Sequence, residues 1–297
     1  MATLADAAPA LRRPRGPGAR FLGRLFREKP LGAIGAVIFV LFLVCGLGAD
    51  VLAPYGFNQI NPVNRMKPPG FAFPLGTDNL GRDMLSRVLY GAQLSVIISF
   101  CAAGLATLIS VGLGIVTGYL GGKIDMVAQR FVDAWMSFPD LIILIVVVSV
   151  VGPGMPQVIV ILGLLYGIAG SRIIRGAVVS VRENMYVHAA QSIGAATPRI
   201  LWRHVLPNVM PPIIVLFTTR VGAVILAESG LSFLGLGVPP PAPTWGGMLS
   251  GSGRGYMYLA PWLALGPGIA ITLVVYGINM FGDALRDLLD PRMRGSR

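Results

Sequence analysis

Charge is what this sequence has least of. Asp, Glu, Lys and Arg make up 12% of its 297 residues, against about 25% in an ordinary soluble domain, while 54% are hydrophobic. That balance argues against a soluble globule and for a chain whose solvent is mostly lipid. Groups for acid-base or metal chemistry are equally scarce. The two histidines, His188 and His204, fall in one short stretch, no HExxH occurs, and Cys45 and Cys101 lie a span apart within apolar runs. No zinc set follows from these residues, and the cysteines read as small buried hydrophobes. Hydrolase and protease chemistry have little to draw on. A nucleotide loop is missing too: "GYLGGKI" (118–124) carries Gly-Gly-Lys, but its first Gly is misplaced for GxxxxGK[ST] and Ile124 cannot ligate Mg²⁺. It is read as a loop between spans. Uphill transport by this chain therefore needs an ATPase on another polypeptide.

What is present is a series of long apolar runs. Residues 31–49 are nineteen positions without a charge, about 28 Å of helix at ~1.5 Å per residue, close to the ~30 Å hydrocarbon core. They set a first transmembrane helix within 31–53. Residues 88–122 are uncharged and hold a second span at 94–120 behind an interfacial lead-in. Residues 141–171 are uncharged as well, but "VGPGMP" (151–156) interrupts them with two prolines and two glycines, strong turn punctuation. The result is a hairpin of spans at 131–151 and 157–174. Further spans are expected at 208–229 and 259–283. The expectation is an all-α membrane protein with six transmembrane helices, a basic segment at 1–30, an external loop at 54–90 and a tail at 285–297.

Orientation follows from lysine and arginine. With the N-terminus inside, inner segments hold eighteen of the 24 basic residues and outer segments five, leaving Arg220 within a span. The positive-inside bias then places both termini in the cytoplasm. Basic residues flanking spans beside anionic lipid account for the net charge of +11, so no nucleic-acid partner is required. "RRPRGPGARFLGRLFREK" (12–29) leads into an apolar run longer than the ~7–15 residues of a signal-peptide core, and it is read as the approach to a first span.

Ionisable groups inside the spans are few, chiefly Asp133, Asp140, Arg220 and Glu228. Arg220 lies about 18 Å into the fifth span, and Glu228, eight residues on, is ~80° round the helix, so the two can share a broad face. They are candidates either for lining a translocation path or for pairing with neighbouring helices. Asp133 and Asp140, with Pro139 between them, mark the inner start of the third span rather than a proton relay. Gly114 with Gly118, and Gly163 with Gly167, have the small-xxx-small spacing that admits close helix approach. An ion-coupled carrier, the rival reading, often shows paired repeats and paired intramembrane charges, and no convincing repeat is found.

One polar stretch breaks the pattern: "VHAAQSIGAATPRILWRHVLPN" (187–208). Met185, Ala189 and Ile193 recur every four residues on one helical stripe. Gly194 reads as a helix end and Thr197-Pro198 as a restart, with Thr as cap and Pro in the first position. Ile200, Leu201, His204 and Val205 share one side of the second helix, which stops at Leu206-Pro207. Such a helix, bend and helix either rests in the lipid interface or enters a groove of a soluble partner. Periodicity does not separate the two.

The spacing of Ala189-Ala190, Gly194 and Leu206-Pro207 resembles the "EAA" signature of ATP-binding-cassette importer permeases. "LGTDNLGRDMLSR" (75–87), "GYLGGKIDMVAQRFVDAWMSFP" (118–139) and "ESGLSFLGLGVPPPAPTWGGML" (228–249) narrow it. They resemble the C-type permease of dipeptide, oligopeptide and nickel importers, and the match runs from about residue 24 to 291.

The resemblance implies a type I importer transmembrane fold in the bacterial cytoplasmic membrane, N-in and C-in. It implies a pore-forming subunit that itself performs no bond chemistry and pairs with a homologous permease. ATP and Mg would sit on two separate ATPase subunits, with no cofactor or metal in this chain, and an external binding protein would deliver peptide; nickel and glutathione importers share the motifs. The loop at 182–207 becomes the coupling helix, with Met185, His188, Ala189, Ala190, Ile193, Gly194, Leu206 and Pro207 toward the ATPase. Leu231, Ser232, Phe233, Leu234 and Gly235 become an outer gate or scoop, or else an interfacial cap on the bundle. In "LGTDNLGRD", Thr77 or Asp78 is a possible helix cap. One position departs from the signature: His188 stands where the family has Glu. An acidic or hydrogen-bonding group on the partner is the expected compensation.

Overall fold

In lipid a backbone must satisfy its own N–H and C=O groups, and a helix does so within one segment. A computed structural model describes residues 17–289, with side chains from Phe21 onward except Leu22. Arg12, Arg13 and Arg15 of the basic segment, and tail residues 290–297, lie outside the described residues. The helices are α1 (Pro17–Glu28), α2 (Pro30–Leu47), α3 (Ala49–Leu52), α4 (Met84–Leu120), α5 (Gly122–Met136), α6 (Asp140–Val151), α7 (Met155–Arg182), α8 (Met185–Ser192), α9 (Thr197–Ile200), α10 (Met210–Phe233), α11 (Trp245–Met248) and α12 (Trp262–Leu289). No strand occurs among the described residues. Helices α2, α4, α7, α10 and α12 are each long and apolar enough to cross a membrane; α5 and α6 reach that standard only together, across an 84° bend.

The bend corrects the third expected span. Residues 131–151 do not form one helix, because Pro139 has no N–H to donate and restricts the residue before it to extended conformations. The chain turns over Ser137–Pro139, with Pro139 itself extended at ψ 129°.

The second span is longer than its charge-free core suggests, starting at Met84. Its cap is Asp83, whose Oδ2 accepts from the Ser86 N–H at 2.7 Å and the Ser86 hydroxyl at 2.6 Å. Thr77 and Asp78 do not cap it. Asp78 is committed to its own loop, accepting from the N–H groups of Leu80 and Arg82 at 2.8 and 2.9 Å and from Arg82 Nε at 2.6 Å. Thr77 donates to the Asn64 carbonyl and accepts from the Lys67 N–H. Cys45 is half-buried and Cys101 exposed, so neither is fully buried; a small apolar thiol is as much at home facing lipid as facing protein.

Helix α4 is the hub, packed along α7 and also against α2 and α10. Its seam with α7 is built on the two glycine pairs. A Cβ on Gly114 would stand 2.7 Å from Ile174 Cβ and 2.8 Å from the Ser171 carbonyl. A Cβ on Gly167 would stand 2.8 Å from Ile109 Cβ and 3.1 Å from the Ala106 carbonyl. The backbones themselves are therefore in contact, and the buried Ser110 hydroxyl donates across the seam to the Gly167 carbonyl at 2.8 Å.

Lys29 pairs with Asp287 at 2.5 Å, and Pro211, Arg286 and Leu289 line one cavity. The start of α2, the start of α10 and the end of α12 thus lie at one end of the bundle. The opposite end is closed by the loop before α4 and by α11. There Trp262 donates to the Thr77 carbonyl at 3.2 Å and Trp245 to the Val88 carbonyl at 3.0 Å.

Gly167→Leu is expected to destabilise the subunit by about 1–3 kcal/mol through overpacking of the seam. Gly176→Leu, where an added Cβ meets nothing within 4 Å, leaves the thermal midpoint in detergent unchanged. Paired fluorescence melts of the two variants check this.

Candidate functional site

The polar stretch lies where α7 ends. Asn184 caps the last turn of α7, its side-chain amide donating to the Ser180 and Val181 carbonyls at 3.2 and 3.0 Å. Helix α8 then turns Val187 and Ala190, three residues apart, inward. With Ile200, Val205 and Val209 they form a cluster against Ile174, Val178, Ile213 and Leu216 of α7 and α10. The stripe of Met185, Ala189 and Ile193 faces the other way. Met185 is 87% exposed, Ile193 85% and Trp202 73%; His188, Ala189 and Pro207 are exposed, Ala190 is buried and Leu206 half-buried. The loop thus carries two apolar faces, one spent on the bundle and one free.

Gly194 closes α8 in a Schellman motif. Its φ is +76°, its N–H donates to the Gln191 carbonyl at 2.9 Å, and the Ala195 N–H reaches back to the Ala190 carbonyl at 3.1 Å. The restart differs from expectation by one position. Ala196, extended at ψ 142°, stands at the cap, Thr197 is already helical and makes no capping bond, and Pro198 follows in the first turn. Leu206-Pro207 does not stop the chain cleanly either. A π-helical turn (Leu201–Val205) and a 3₁₀ turn (Leu206–Asn208) carry it into α10, with Asn208 donating to the His204 carbonyl at 2.7 Å.

Three arginines on one face of α7 tie this end together, at spacings of three and seven residues. Arg182 donates to the carbonyls of Tyr119 and Gly118 at the end of α4, and Gln191 of α8 donates to the Tyr119 hydroxyl at 3.1 Å. Arg175 grips Asp125 of α5 with two hydrogen bonds of 2.5 Å, and Arg172 bonds Asp133. Asp125 and Asp133 are about 12 Å apart along α5, whereas Arg175 and Arg172 are about 4.5 Å apart along α7, so α5 lies across α7 rather than beside it. Sequence reasoning missed this row, although its one-face spacing was visible.

His188 does have a carboxylate nearby. Its Nε2 is 4.0 Å from Glu183 Oε2, and Glu183 Oε1 accepts from Arg182 Nε and Nη2 at 3.1 and 3.0 Å.

At the far end of α10, Leu231 and Ser232 are buried in the last turn, while Phe233 and Leu234 are exposed. Gly235, at φ +80°, ends the helix with the same pair of bonds as Gly194, Gly235 N–H to the Ser232 carbonyl and Leu236 N–H to the Leu231 carbonyl, both 3.0 Å. Ser232 and Gly235, with Arg82, Arg87 and Tyr256, line a cavity of about 470 Å³.

Arg220 and Glu228 are not paired. Glu228 is only 1% exposed and accepts from the Ser232 hydroxyl at 2.6 Å, one turn along its own helix. Arg220 turns to α7, its guanidinium 4.9 Å from the centre of the Tyr166 ring. Among the described residues no three His, Cys, Asp or Glu side chains stand close enough to hold a metal.

Residues 110–295 match the family described as binding-protein-dependent transport system inner membrane component, and residues 20–69 match the N-terminal TM domain of oligopeptide transport permease C. The chain belongs to this permease family. The dipeptide transport system permease protein DppC of Alkalihalophilus pseudofirmus is 38% identical over 268 residues, covering 90% of this chain and 88% of that protein. The oligopeptide transport system permease protein OppC of Bacillus subtilis is 37% identical over 269 residues, 91% and 88% of the two chains. The glutathione transport system permease protein GsiD of Pectobacterium atrosepticum is 36% identical over 282 residues, 94% and 93%. In fold the permease is similar to a chain of the MetNI methionine ABC transporter in an inward-facing form, at a TM-score of 0.57 and 17% identity, covering 70% of this chain and 98% of that one. The type I importer fold expected from the sequence is thereby borne out.

In this permease Asp125→Asn is expected to loosen α5 selectively. Loss of a partly exposed, bidentate pair is worth about 1 kcal/mol, so hydrogen exchange across α5 should rise roughly five-fold while α7 is unchanged.

Proposed function

We propose that this permease is a pore-forming subunit of an ATP-driven, binding-protein-dependent importer of peptides, and that the loop of α8 and α9 is its contact with the motor. The observation that carries the coupling role is the second apolar face of that loop. Met185, Ile193 and Trp202 are exposed on an element whose other face is already buried in the bundle, the form of a helix made to enter a groove. Relatives named for dipeptide, oligopeptide and glutathione transport all concern cargo with peptide bonds, which supports peptide as the substrate class.

In this reading the loop end of the bundle faces the cytoplasm and the α11 end faces outward, in the bacterial inner membrane. A second permease completes the pore, two ATPase subunits bind ATP and Mg, and a binding protein loads substrate at the cavity beside Ser232 and Gly235. Closure of the ATPases pushes α8. Arg182 and Gln191 pass the push to the end of α4, Arg175 and Arg172 pass it to α5, and the Val187–Ala190 face passes it to α10. His188, already beside Glu183, takes the place of the signature Glu with a carboxylate supplied from its own chain.

Replacing Gly194 by Val tests the lever. A β-branched residue at φ +76° costs on the order of 1–2 kcal/mol in backbone strain, while open space around the position leaves the bundle itself intact. In proteoliposomes holding the complete transporter, Gly194→Val should insert normally yet lose about ten-fold in peptide uptake per ATP hydrolysed, and Gly194→Asn, tolerant of this conformation, should retain most of it. Unchanged coupling in the valine variant rules the lever out. Ile193→Asp should weaken co-purification of the ATPase by about ten-fold, since a charge then enters an apolar groove.

A further inference from the structure

Two arginines at the α11 end of the bundle lean on one carboxylate. Arg82, in the loop before α4, donates from Nε to Asp78 Oδ2 at 2.6 Å, and Arg87, in the first turn of α4, brings its own Nε to 3.9 Å from the same oxygen. The side chains of the two arginines are 13% and 8% exposed, and that of Asp78 is 1% exposed. Oδ1 of Asp78 is already taken by the N–H groups of Leu80 and Arg82. Asp83, the other acid of this loop, has its Oδ2 turned to Ser86 and pairs with neither arginine. The cluster therefore sets two positive charges against one negative, in a place where an unmatched charge is costly.

Both arginines line the cavity of about 470 Å³ that Ser232 and Gly235 also border, and no acidic residue lines it. Arg82 spends Nη1 on the Asn58 side chain at 3.3 Å, and Arg87 spends Nη1 on the Phe57 carbonyl at 3.0 Å. A guanidinium has five N–H donors, and among the described residues the Nη2 group of each arginine has no acceptor. Neither Nη2 is sealed from solvent, and with both side chains otherwise buried the cavity is where these donors can be reached. The rest of the wall is mixed. Residues 238–241 give it an apolar stretch with three prolines, and Ser250, Ser252 and Tyr256 give it half-buried hydroxyls with no hydrogen-bond partner among the described residues.

Excess positive charge calls for an anion, and the space says more about which. A bare ion such as chloride fills little of it, whereas its volume and mixed lining are those of a small-molecule site. A molecule with a carboxylate at one end and a short, partly apolar body suits both features. The carboxylate takes the free N–H groups in charge-assisted hydrogen bonds, and the body lies against the prolines and hydroxyls. We propose that Arg82 and Arg87 form a carboxylate subsite, and that its ligand is the C-terminal residue of a peptide entering the pore at this end. This rests on the reading of the chain as a peptide permease.

The test uses the complete transporter, purified in detergent without binding protein and titrated with a labelled dipeptide of uncharged side chains and with its C-terminal amide. Wild type should bind the free acid about ten-fold more tightly, the weight of a charge-assisted hydrogen bond. Arg87→Gln, which leaves the Arg82–Asp78 pair to hold the loop, should abolish that preference with the affinity for the amide unchanged, and Arg87→Lys should keep part of it. Ser252→Asp sets a fixed carboxylate in the same cavity without touching the contacts of either arginine with the loop, and it too should abolish the preference. Should Arg87→Gln fail to assemble, Ser252→Asp decides alone. Equal binding of the two peptides by wild type, or equal loss of both in the variants, overturns the proposal. So does weaker capture of the binding protein with the preference intact, because the arginines then serve an acid of that protein. ATP-driven uptake in proteoliposomes reads the importer separately. Uptake by wild type with no preference in the titration sinks the subsite alone, and a preference with no uptake sinks the importer reading alone.

Discussion

Everything in this subunit is organised by the contact of two backbones, α4 against α7. Lipid provides little hydrophobic drive for helices to associate, so close van der Waals packing has to supply it. Glycine at 114 and 118 on one helix and at 163 and 167 on the other lets main chain meet side chain at contact distance. Because the seam is tight, the far ends of both helices are fixed relative to one another. Arg182 can therefore reach the last carbonyls of α4, and the buried face of α8 finds a preformed cluster to sit on.

Around that rigid pair the remaining elements are held by contacts of a different kind. Helix α5 is attached to α7 by the ion pairs of its Asp125 and Asp133 with Arg175 and Arg172, and the loop rests on a small apolar cluster. Charged pairs at an interface are directional and reversible, whereas an interlocked glycine seam resists sliding. The fold thus separates a close-packed spine from arms held by ion pairs and a small apolar cluster. The family's need for ATPase and permease partners fits this division, since the arms present the exposed faces.

Local chemistry made much of this legible in the sequence. The uncharged runs announced the helices, "VGPGMP" the hairpin, and Gly194 the end of α8, because turn and cap residues act within a few positions of themselves. What escaped were features that depend on who stands opposite. Pro139 was visible, but not the size of the bend, nor that Asp125 and Asp133 find their arginines on α7. Arg220 and Glu228 share a helix, yet each takes a partner that spacing along that helix does not reveal: Tyr166 from α7 and Ser232 one turn beyond. Asp83 was overlooked as a cap because the charge-free run began later than the helix did. Glu183, five residues before His188, has a carboxylate 4.0 Å from its imidazole, and only the folded turn brings the two together.

Helix α6 has 12 residues, about 18 Å of rise, and behind it α5 lies crosswise, so on this flank the subunit is thinner than the ~30 Å of hydrocarbon it must face. Any binding partner that covers such a flank in the folded subunit adds to its stability by mass action. The stability of this subunit then depends on how much of that partner is present.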